Sequence, residues 1–340
     1  MQNQPEDSPS IIVLVYHRVD IAATDPWGIC VMPDIFEKQV EFLKNNFHMV
    51  GVDDVIKQLT VGDIIRDSIC ITFDDGYADN YLNALPVLER YNCPATFFIA
   101  SAFINTLSFW WDELEILLLH TEKLPPLIIL EINGNKHEYI NSIQKLTREQ
   151  WQHHATWKWY EAPPTDRCGL FLRIWERLRS LDLHEIKKQI DTIKKLAGTN
   201  TLLPPLPLNA DQLRLLSASQ FCGIGLHTHT HPDLKGKAKQ MQVEEIISGK
   251  QNLETNYGIV SNYLAYPYGR FDNNTLEAVS EVGLTACFTT ESISIDGTTS
   301  AYKLGRYQVG NWNVSCLKDN LRRWKTKTPK INNYNESPGT

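Results

Sequence analysis

Two adjacent carboxylates, Asp74 and Asp75, follow the apolar run Ile69–Phe73. Where a strand passes into a loop, consecutive side chains diverge, so one carboxylate can ligate a metal while its neighbour faces a substrate. Two crowded carboxylates also perturb each other's ionisation unless a cation stabilises both as anions. Taken alone, the pair fits equally well an Asp that caps a helix in an ordinary turn, which Asp75-Gly76 favours. A second signal is needed before the pair indicates chemistry.

A histidine cluster supplies that signal. His227, His229 and His231 follow a predicted strand, Gly223–Leu226, and Pro232 disfavours a regular helix, so we expect a loop. Two histidines four residues apart can bind one metal ion from a loop of this kind. A single histidine would more often bond to backbone or water. Beside a carboxylate pair, however, the cluster favours a two-histidine, one-carboxylate site, which leaves coordination positions open for water and substrate.

Strands and helices alternate along the chain, which predicts an α/β fold. The run Ile11–Tyr16 is continuously apolar, as in a strand buried on both faces, and Ile69–Phe73 repeats the pattern. Repeated β-α units with parallel strands form a doubly wound sheet or a closed barrel. In a barrel, the chemistry lies at the carboxyl ends of the strands. The polar residues expected there are His17, Asp74, Asp75, His227, His231 and the turn Tyr266-Pro267-Tyr268-Gly269.

The alternation stops between residues 105 and 210, where the chain is rich in Leu, Trp and charge. We expect an insertion there, mostly helical and near the barrel rim, with a hairpin at Leu127–Ile140 and a helical stretch at Leu170–Leu196. Trp110 and Trp111 could form a sugar-binding wall, but their place at the start of an amphipathic helix favours the core. The predicted organisation is two barrel parts, an insertion and a polar tail, at residues 1–104 and 211–324, 105–210, and 325–340.

Composition excludes several classes of protein. The 340 residues carry a formal net charge of −7, which argues against a general binder of nucleic-acid backbones. No apolar run approaches the length of a membrane-spanning helix, about 18 residues. The 7 cysteines are scattered without a C-x-x-C pair, which fits buried thiols in a reducing compartment. Because Met1–Ser10 is polar and the apolar run after it is short, we expect no secretory signal and a cytoplasmic protein.

Three motifs resemble those of a known family. Thr72–Gly76 (TFDDG), His227–Leu234 (HTHTHPDL) and Ala265–Gly269 (AYPYG) are similar to the central motifs of polysaccharide deacetylases, the NodB-homology or carbohydrate esterase family 4 group. Val13–Val19 (VLVYHRV) further resembles the opening of a subgroup with an N-terminal YHRV motif. The resemblance implies a distorted (β/α)7 TIM-like barrel and metal-dependent removal of N- or O-acetyl groups from carbohydrates.

The resemblance also implies a role for each motif residue. The residues that resemble the metal ligands are Asp75, His227 and His231. Asp74 resembles the general base that deprotonates the attacking water, and the backbone N–H of Tyr268 resembles the donor that holds the oxyanion. Tyr266 and Pro267 belong to the same motif and assist it. His229 occupies a variable position, so we expect it in an exposed loop outside the metal site.

The sequence departs from the family pattern at two assisting positions. No histidine follows the second motif, so the late histidine that many members use as a general acid is missing. His17, at the end of the first strand, is the predicted replacement, although a structural histidine in a strand–loop joint would fit the same position. The arginine that often precedes Pro-Tyr and orients the base is Ala265 here. Arg306 or Arg18 would then pair with the base, unless each is a surface charge.

The predicted activity is that of a metal-dependent carbohydrate deacetylase. It would hydrolyse the N-acetyl group of a glycan or glycoconjugate that contains an amino sugar, with zinc as the default metal and iron, cobalt or nickel also accepted. One alternative is an O-acetyl esterase with the same ligands, and another is a non-catalytic carbohydrate-binding protein on this fold. A non-haem iron oxygenase uses similar ligands but prefers a β-sandwich. The expected partner is an N-acetylated saccharide.

Overall fold

The structure is a computed structural model that describes residues 9–198 and 205–325. Its strands are β1 (Ile11–Tyr16), β2 (Arg18–Val19), β3 (Cys30–Val31), β4 (His48–Val50), β5 (Ser68–Phe73), β6 (Ala95–Ile99), β7 (Leu127–Ile132), β8 (Asn135–Ile140), β9 (Cys222–Leu226), β10 (Tyr263–Ala265), β11 (Ala286–Phe288) and β12 (Tyr307–Gln308).

The α-helices within these residues are α1 (Pro33–Asn46), α2 (Val52–Val61), α3 (Leu85–Arg90), α4 (Trp110–Glu115), α5 (Arg148–Thr156), α6 (Asp166–Leu178), α7 (Leu183–Ala197), α8 (Ala210–Ala218), α9 (Lys239–Tyr257), α10 (Asn273–Glu281) and α11 (Val314–Lys325). A π-helical turn, Asn80–Ala84, leads into α3, and another, Ile116–His120, continues α4.

Seven parallel strands form the main sheet in the order β11-β10-β9-β6-β5-β1-β12, and the short β4 pairs with the first half of β5. β1 and β5 pair along their whole length, from Ile11 opposite Ser68 to Tyr16 opposite Phe73. Both strands are buried throughout, as expected when both faces of a parallel sheet are covered. The expected α/β fold with a distorted (β/α)7 barrel is confirmed.

One short segment connects the two ends of this curled sheet. Leu304 exchanges backbone hydrogen bonds with β11: its N–H donates to Cys287 O (3.0 Å), and its own carbonyl accepts from Thr289 N (2.8 Å). A few residues later, β12 pairs with β1, and Val309 N donates to Val15 O (3.0 Å). The segment from Leu304 to Val309 therefore bonds at its start to one edge strand and at its end to the opposite side of the sheet.

The chain divides into two compact units. The first contains the sheet and the helices around it. It consists of three segments: the described chain up to Ile21, Ile29–Asn105, and the described chain from Leu208 onwards. The second contains Ala22–Gly28 and the described residues of Thr106–Pro207. The division at residues 104 and 210 stays a prediction, and residues 326–340 of the predicted tail lie outside the described residues.

The second unit combines helices with one hairpin. β7 and β8 pair antiparallel through the predicted Asn133-Gly134 turn. The single helical stretch predicted at Leu170–Leu196 is wrong, because Asp182 caps a separate helix, α7, by accepting from Glu185 N. Trp110 and Trp111 are 3% and 6% exposed, so their assignment to the core is confirmed.

Candidate active site

The two adjacent carboxylates at the end of β5 point to different partners. The Asp74 side chain faces Arg306, whereas Asp75 faces His227 and His231. The divergence follows from the backbone, because Asp75 adopts a left-handed conformation (φ 74°) directly after the strand. Gly76 continues the turn at φ 95°, where a Cβ would lie 3.2 Å from the Ile99 side chain. This turn gives each carboxylate its own environment.

The histidine loop after β9 is held by helix α9. The Glu245 carboxylate of α9 accepts hydrogen bonds from the backbone N–H groups of His229 (3.2 Å) and Thr230 (2.9 Å). One turn further along α9, Gly249 lies so near the loop that a Cβ there would be 2.9 Å from the carbonyl carbon of Thr228. Within the loop, Thr228 Oγ1 accepts from His231 N (3.1 Å). Glycine is needed on the helix because the two backbones approach this closely.

Asp75, His227 and His231 present three ligand atoms to one another. His227 Nε2 and His231 Nε2 each lie 3.4 Å from Asp75 Oδ1 and 3.2 Å from each other. All three residues are buried. Among the described residues, this is the one group of three or more acidic, histidine or cysteine side chains whose ligand atoms lie close enough together to hold a metal ion.

The pKa values of the three ligand residues shift in different directions: burial would lower that of His227, but Asp74 and Asp75 outweigh it and raise it. Burial and the neighbouring His227 lower the pKa of His231 to about 3, so its imidazole is neutral and can ligate. Burial opposes ionisation of Asp75, but the facing imidazoles of His227 and His231 outweigh it and lower its pKa. His227 Nδ1 lies 2.8 Å from Ala265 O, and a donated hydrogen bond there leaves Nε2 to act as the ligand atom.

Arg306 holds the other carboxylate through two bonds. Its Nη1 and Nη2 donate to Asp74 Oδ1 and Oδ2, both at 2.7 Å, and its Nε donates to Thr289 O (3.0 Å). Burial alone would raise the pKa of Asp74, but the guanidinium lowers it to about 2. Asp74 is therefore an anion with a fixed orientation. Arg306 lies immediately before β12, in the segment that joins the two sides of the sheet.

His17 and Arg18 lie at the end of β1 but face different groups. Burial lowers the pKa of His17, whereas the charges of Asp75 and Asp74 act on it in the opposite direction, so its ring belongs to the electrostatic environment of the carboxylates. Arg18 instead pairs with Asp79 (3.3 Å) and Asp20 (3.1 Å). Of the two arginines considered from the sequence, the partner of Asp74 is thus Arg306.

The turn after β10 places Tyr268 against the histidine cluster. Its ring centroid lies 4.7 Å from that of His231, edge to face. Tyr268 has a left-handed backbone (φ 59°), and the next residue, Gly269, packs so closely on Thr290 that a Cβ would lie 2.6 Å from its backbone nitrogen. Tyr266 is fully buried and donates to Tyr302 O (3.1 Å), so its hydroxyl has a structural partner. Pro267, also buried, begins the turn.

The model of the polysaccharide deacetylase family matches residues 62–161 and 175–287 of the chain. The chain belongs to the polysaccharide deacetylase family. The protein is therefore a hydrolase of the polysaccharide deacetylase type, a class assigned to carbon–nitrogen bonds.

Individual relatives are distant in sequence. The chain is 21% identical over 308 residues to YxkH of Bacillus subtilis (strain 168), whose name places it among polysaccharide deacetylases, covering 89% of this chain and 73% of that protein. A shorter match, 33% over 75 residues, covers 22% of this chain and 26% of the poly-β-1,6-N-acetyl-D-glucosamine N-deacetylase of Staphylococcus epidermidis. The fold is similar to that of IcaB from Ammonifex degensii, with a TM-score of 0.57, 17% identity, and coverage of 94% and 98% of the two chains.

Three contributors to this candidate site were not recognised from the sequence. Glu245 and Gly249 shape the histidine loop from a helix, and Asp79 binds the chain just after His17 by accepting from Val19 N (3.0 Å). The spacing of these residues carries no motif, because each acts on a backbone distant in sequence. His229, expected in an exposed loop, is instead half-buried, with its Nδ1 2.8 Å from Ser101 Oγ. It lies outside the three-ligand group, as expected.

No α-helix in the described parts of the chain combines the length and the apolar character that crossing a bilayer requires.

Proposed function

We propose that this polysaccharide deacetylase is a metal-dependent enzyme that hydrolyses the N-acetyl group of an amino-sugar-containing glycan or glycoconjugate and releases acetate. One observation carries the proposal. An ionised carboxylate, Asp74, is oriented by Arg306 next to the three convergent ligand atoms of Asp75, His227 and His231. A fixed anion beside a cation site is what activation of water for attack on an amide requires.

The donor set fits a divalent transition metal. Ligand atoms around a tetrahedral zinc ion with bonds of about 2.0–2.2 Å lie about 3.3–3.6 Å apart. The three donor atoms here are 3.2–3.4 Å apart. Two imidazoles and one carboxylate suit zinc and also accept iron, cobalt or nickel. When bound, the metal would polarise the acetyl carbonyl and lower the pKa of water.

The remaining residues would then move protons and hold charge. Asp74 accepts a proton from the water that attacks the acetyl carbonyl, and Arg306 maintains its ionised state and direction. The backbone N–H of Tyr268 donates to the oxygen that becomes negative in the tetrahedral intermediate. The protonated form of His17 delivers its proton to the sugar nitrogen as the carbon–nitrogen bond breaks, so that the leaving group departs as a neutral amine. The products are acetate and the free amino sugar.

Acetate release tests the reaction class. We expect metal-loaded protein to release acetate from an N-acetylated amino sugar oligomer, chelated protein to lose this activity, and Asp74→Asn to lower kcat by about 10²–10⁴-fold. A panel of O-acetylated sugars is the parallel arm. Release from the O-acetyl compounds alone would favour an esterase over the N-deacetylase. Metal binding without release from any acetylated compound would favour a carbohydrate-binding protein.

Metal content tests the ligand assignment separately from turnover. His231→Ala is expected to retain much less metal than wild type after dialysis, as measured by elemental mass spectrometry, because one of three ligands is gone. His229→Ala is the matched control: it removes an imidazole from the same loop but outside the ligand group. Equal metal content in both variants and wild type would contradict the assignment. The same measurement on native protein identifies zinc, iron, cobalt or nickel.

Two further predictions complete this proposal. A cytoplasmic location, itself part of the proposal, would favour an intracellular glycan precursor, a lipid-linked saccharide or a small glycoside as the substrate, and detection of the native protein outside the cytoplasm would contradict it. The proposed membership of the subgroup with an N-terminal YHRV motif predicts that His17→Ala removes most of the N-deacetylase activity. An unaffected rate in His17→Ala would place the general acid elsewhere.

A further inference from the structure

Asn80 is a fully buried amide close to the proposed general acid. It begins the π-helical turn that follows the Asp74-Asp75 loop. Its Nδ2 donates to the backbone carbonyl of His17 (2.7 Å) and to Asp79 Oδ1 (2.9 Å). Its Oδ1 is also buried but accepts no hydrogen bond from the described residues. A buried acceptor without a donor costs stability. The favourable contribution of this side chain therefore comes from the two hydrogen bonds that its nitrogen donates.

The neighbouring residue, Asp79, binds the same strand end from the other side of Arg18. Its Oδ1 accepts from Val19 N (3.0 Å) and its Oδ2 accepts from Arg18 Nε (3.3 Å). Two consecutive side chains thus contact the carbonyl of His17 and the amide of Val19. The backbone that carries the His17 imidazole is fixed on both sides of residue 18.

The fixing element and the base belong to one continuous segment. Only five residues separate Asp74 from Asn80, and that segment contains the turn at Asp75 and Gly76. Through Asn80, the position of His17 depends on the same stretch of chain that carries the proposed base. A displacement of this stretch would carry both groups with it. Positioning of catalytic groups to within a fraction of an ångström depends on supports of this kind.

We propose that Asn80 is a positioning residue for His17: its amide fixes the strand end so that the imidazole meets the leaving nitrogen. The inference rests on the proposed function, in which His17 is the general acid. Its action is indirect, because Asn80 is fully buried and its amide donates to the His17 carbonyl and to Asp79 Oδ1.

The test compares two leaving groups in two matched variants. An amide needs a proton on its leaving nitrogen, whereas an activated aryl acetate leaves as a stable anion and needs little acid help. Asn80→Ala is expected to lower kcat on the N-acetyl substrate by about 10–100-fold more than kcat on the aryl acetate. Asn83→Ala is the control, since Asn83 Nδ2 makes the same kind of bond to a carbonyl two residues further along, Val19 O (2.7 Å). Its ratio of amide to ester activity should equal that of wild type.

A double-mutant cycle separates positioning from general loss of structure. In a His17→Ala background, Asn80→Ala should lower the amide rate by less than about 2-fold more, because the group it positions is already gone. A loss in the double variant equal to the product of the two single losses would overturn the inference. Equal losses of amide and ester activity in Asn80→Ala would also overturn it. Asn80→Leu, which keeps the branched shape of the side chain and removes its hydrogen bonds, repeats the test if the alanine variant does not fold.

An NMR readout keeps this inference distinct from the proposed function. Ring signals of His17, assigned by their loss in His17→Ala, should shift in Asn80→Ala and not in Asn83→Ala. Absence of N-acetyl hydrolysis in wild type, with the ring shifts present, would overturn the function and leave the positioning intact. Unmoved ring signals in an active enzyme would overturn the positioning alone.

Discussion

Both compact units bury charged side chains, but they use them differently. In the first unit the buried ionisable groups face one another: Asp74 faces Arg306, and Asp75 faces His227 and His231. In the second unit, the fully buried Arg167 donates to four backbone carbonyls, those of Thr121, Glu122, Ile143 and Gln144. The first arrangement concentrates charge at one place, whereas the second provides hydrogen-bond donors for the backbone carbonyls of loops.

Backbone conformation shows the same contrast. Left-handed positions in the described residues are mostly glycine, asparagine or aspartate, which tolerate them. The exceptions are Thr228, His231 and Tyr268, and all three lie at the candidate active site. Within the described part of the second unit, the non-glycine position of this kind is Asn133, in the hairpin turn. Strain combined with mutually facing buried charges therefore marks a functional site, whereas a buried charge on relaxed loops indicates a structural one.

The largest expected effect is from Arg306→Met. It leaves Asp74 buried without its cation, which typically costs about 3–5 kcal/mol of unfolding free energy, and it frees the base to rotate, so kcat should fall at least 100-fold. Denaturant unfolding and acetate release measure the two effects. In Asp74→Asn/Arg306→Met the destabilisation should be smaller than in Arg306→Met alone. A single variant as stable and active as wild type would show that the pair has no role.

Arg167→Met should affect stability alone. Several buried carbonyls lose their donor, at about 1–3 kcal/mol for a buried group left unsatisfied, so we expect a total of about 2–4 kcal/mol. Below the unfolding temperature, kcat on a small soluble N-acetyl sugar should stay within about 2-fold of wild type, because the Arg167 guanidinium bonds only to backbone carbonyls of loops in the hydrogen bonds described above. A kcat loss as large as that of Arg306→Met would erase the contrast between the two units.

The smallest effect is a loss of stability in acid. Burial lowers the pKa of His120 to about 4, and burial also lowers that of His154, which contacts Leu119 O (2.9 Å) and Thr165 Oγ1 (2.7 Å). Because the unfolded chain binds these protons more readily, this stability is fully present above about pH 6.5 and is lost as the pH falls towards 4. We expect about 1–2 kcal/mol for His120 after allowing for solvent.

Thermal melts at pH 7 and pH 5 check this acid effect. The melting temperature of wild type should fall more between the two values than that of His120→Gln, which carries no titrating ring. An equal fall in both proteins would mean that other groups cause the acid sensitivity.

Much of the barrel was predictable because its strands are apolar on both faces. Ile11–Tyr16 was predicted with its observed bounds, and Ile69–Phe73 was predicted one residue short at its start. The polar residues that follow these strands identify the rim. Residues that act within a few positions of a strand end, such as Asp74 and Asp75, are therefore visible as a pattern.

What could not be predicted depends on contacts between distant segments. The choice of Arg306 over Arg18 as partner of Asp74 depends on which arginine the curled sheet brings opposite the base. The packing of Gly249 on the histidine loop depends on how α9 returns over the sheet. The break before α7 did carry a local signal, since Asp182 followed by Glu185 is a helix-start pattern.

In the proposed mechanism, activity is sensitive to one local unfolding event, the opening of the segment from Leu304 to Val309. Hydrogen bonds to β11 and to β1 close the sheet at this seam, and Arg306 lies between them. Short edge pairing of this kind opens at lower free energy than the long β1–β5 ladder. When the seam opens, Asp74 loses its guanidinium while most strands remain paired. Amide hydrogen exchange at Leu304 and Val309 would then report the free energy of opening this seam rather than the stability of the whole fold.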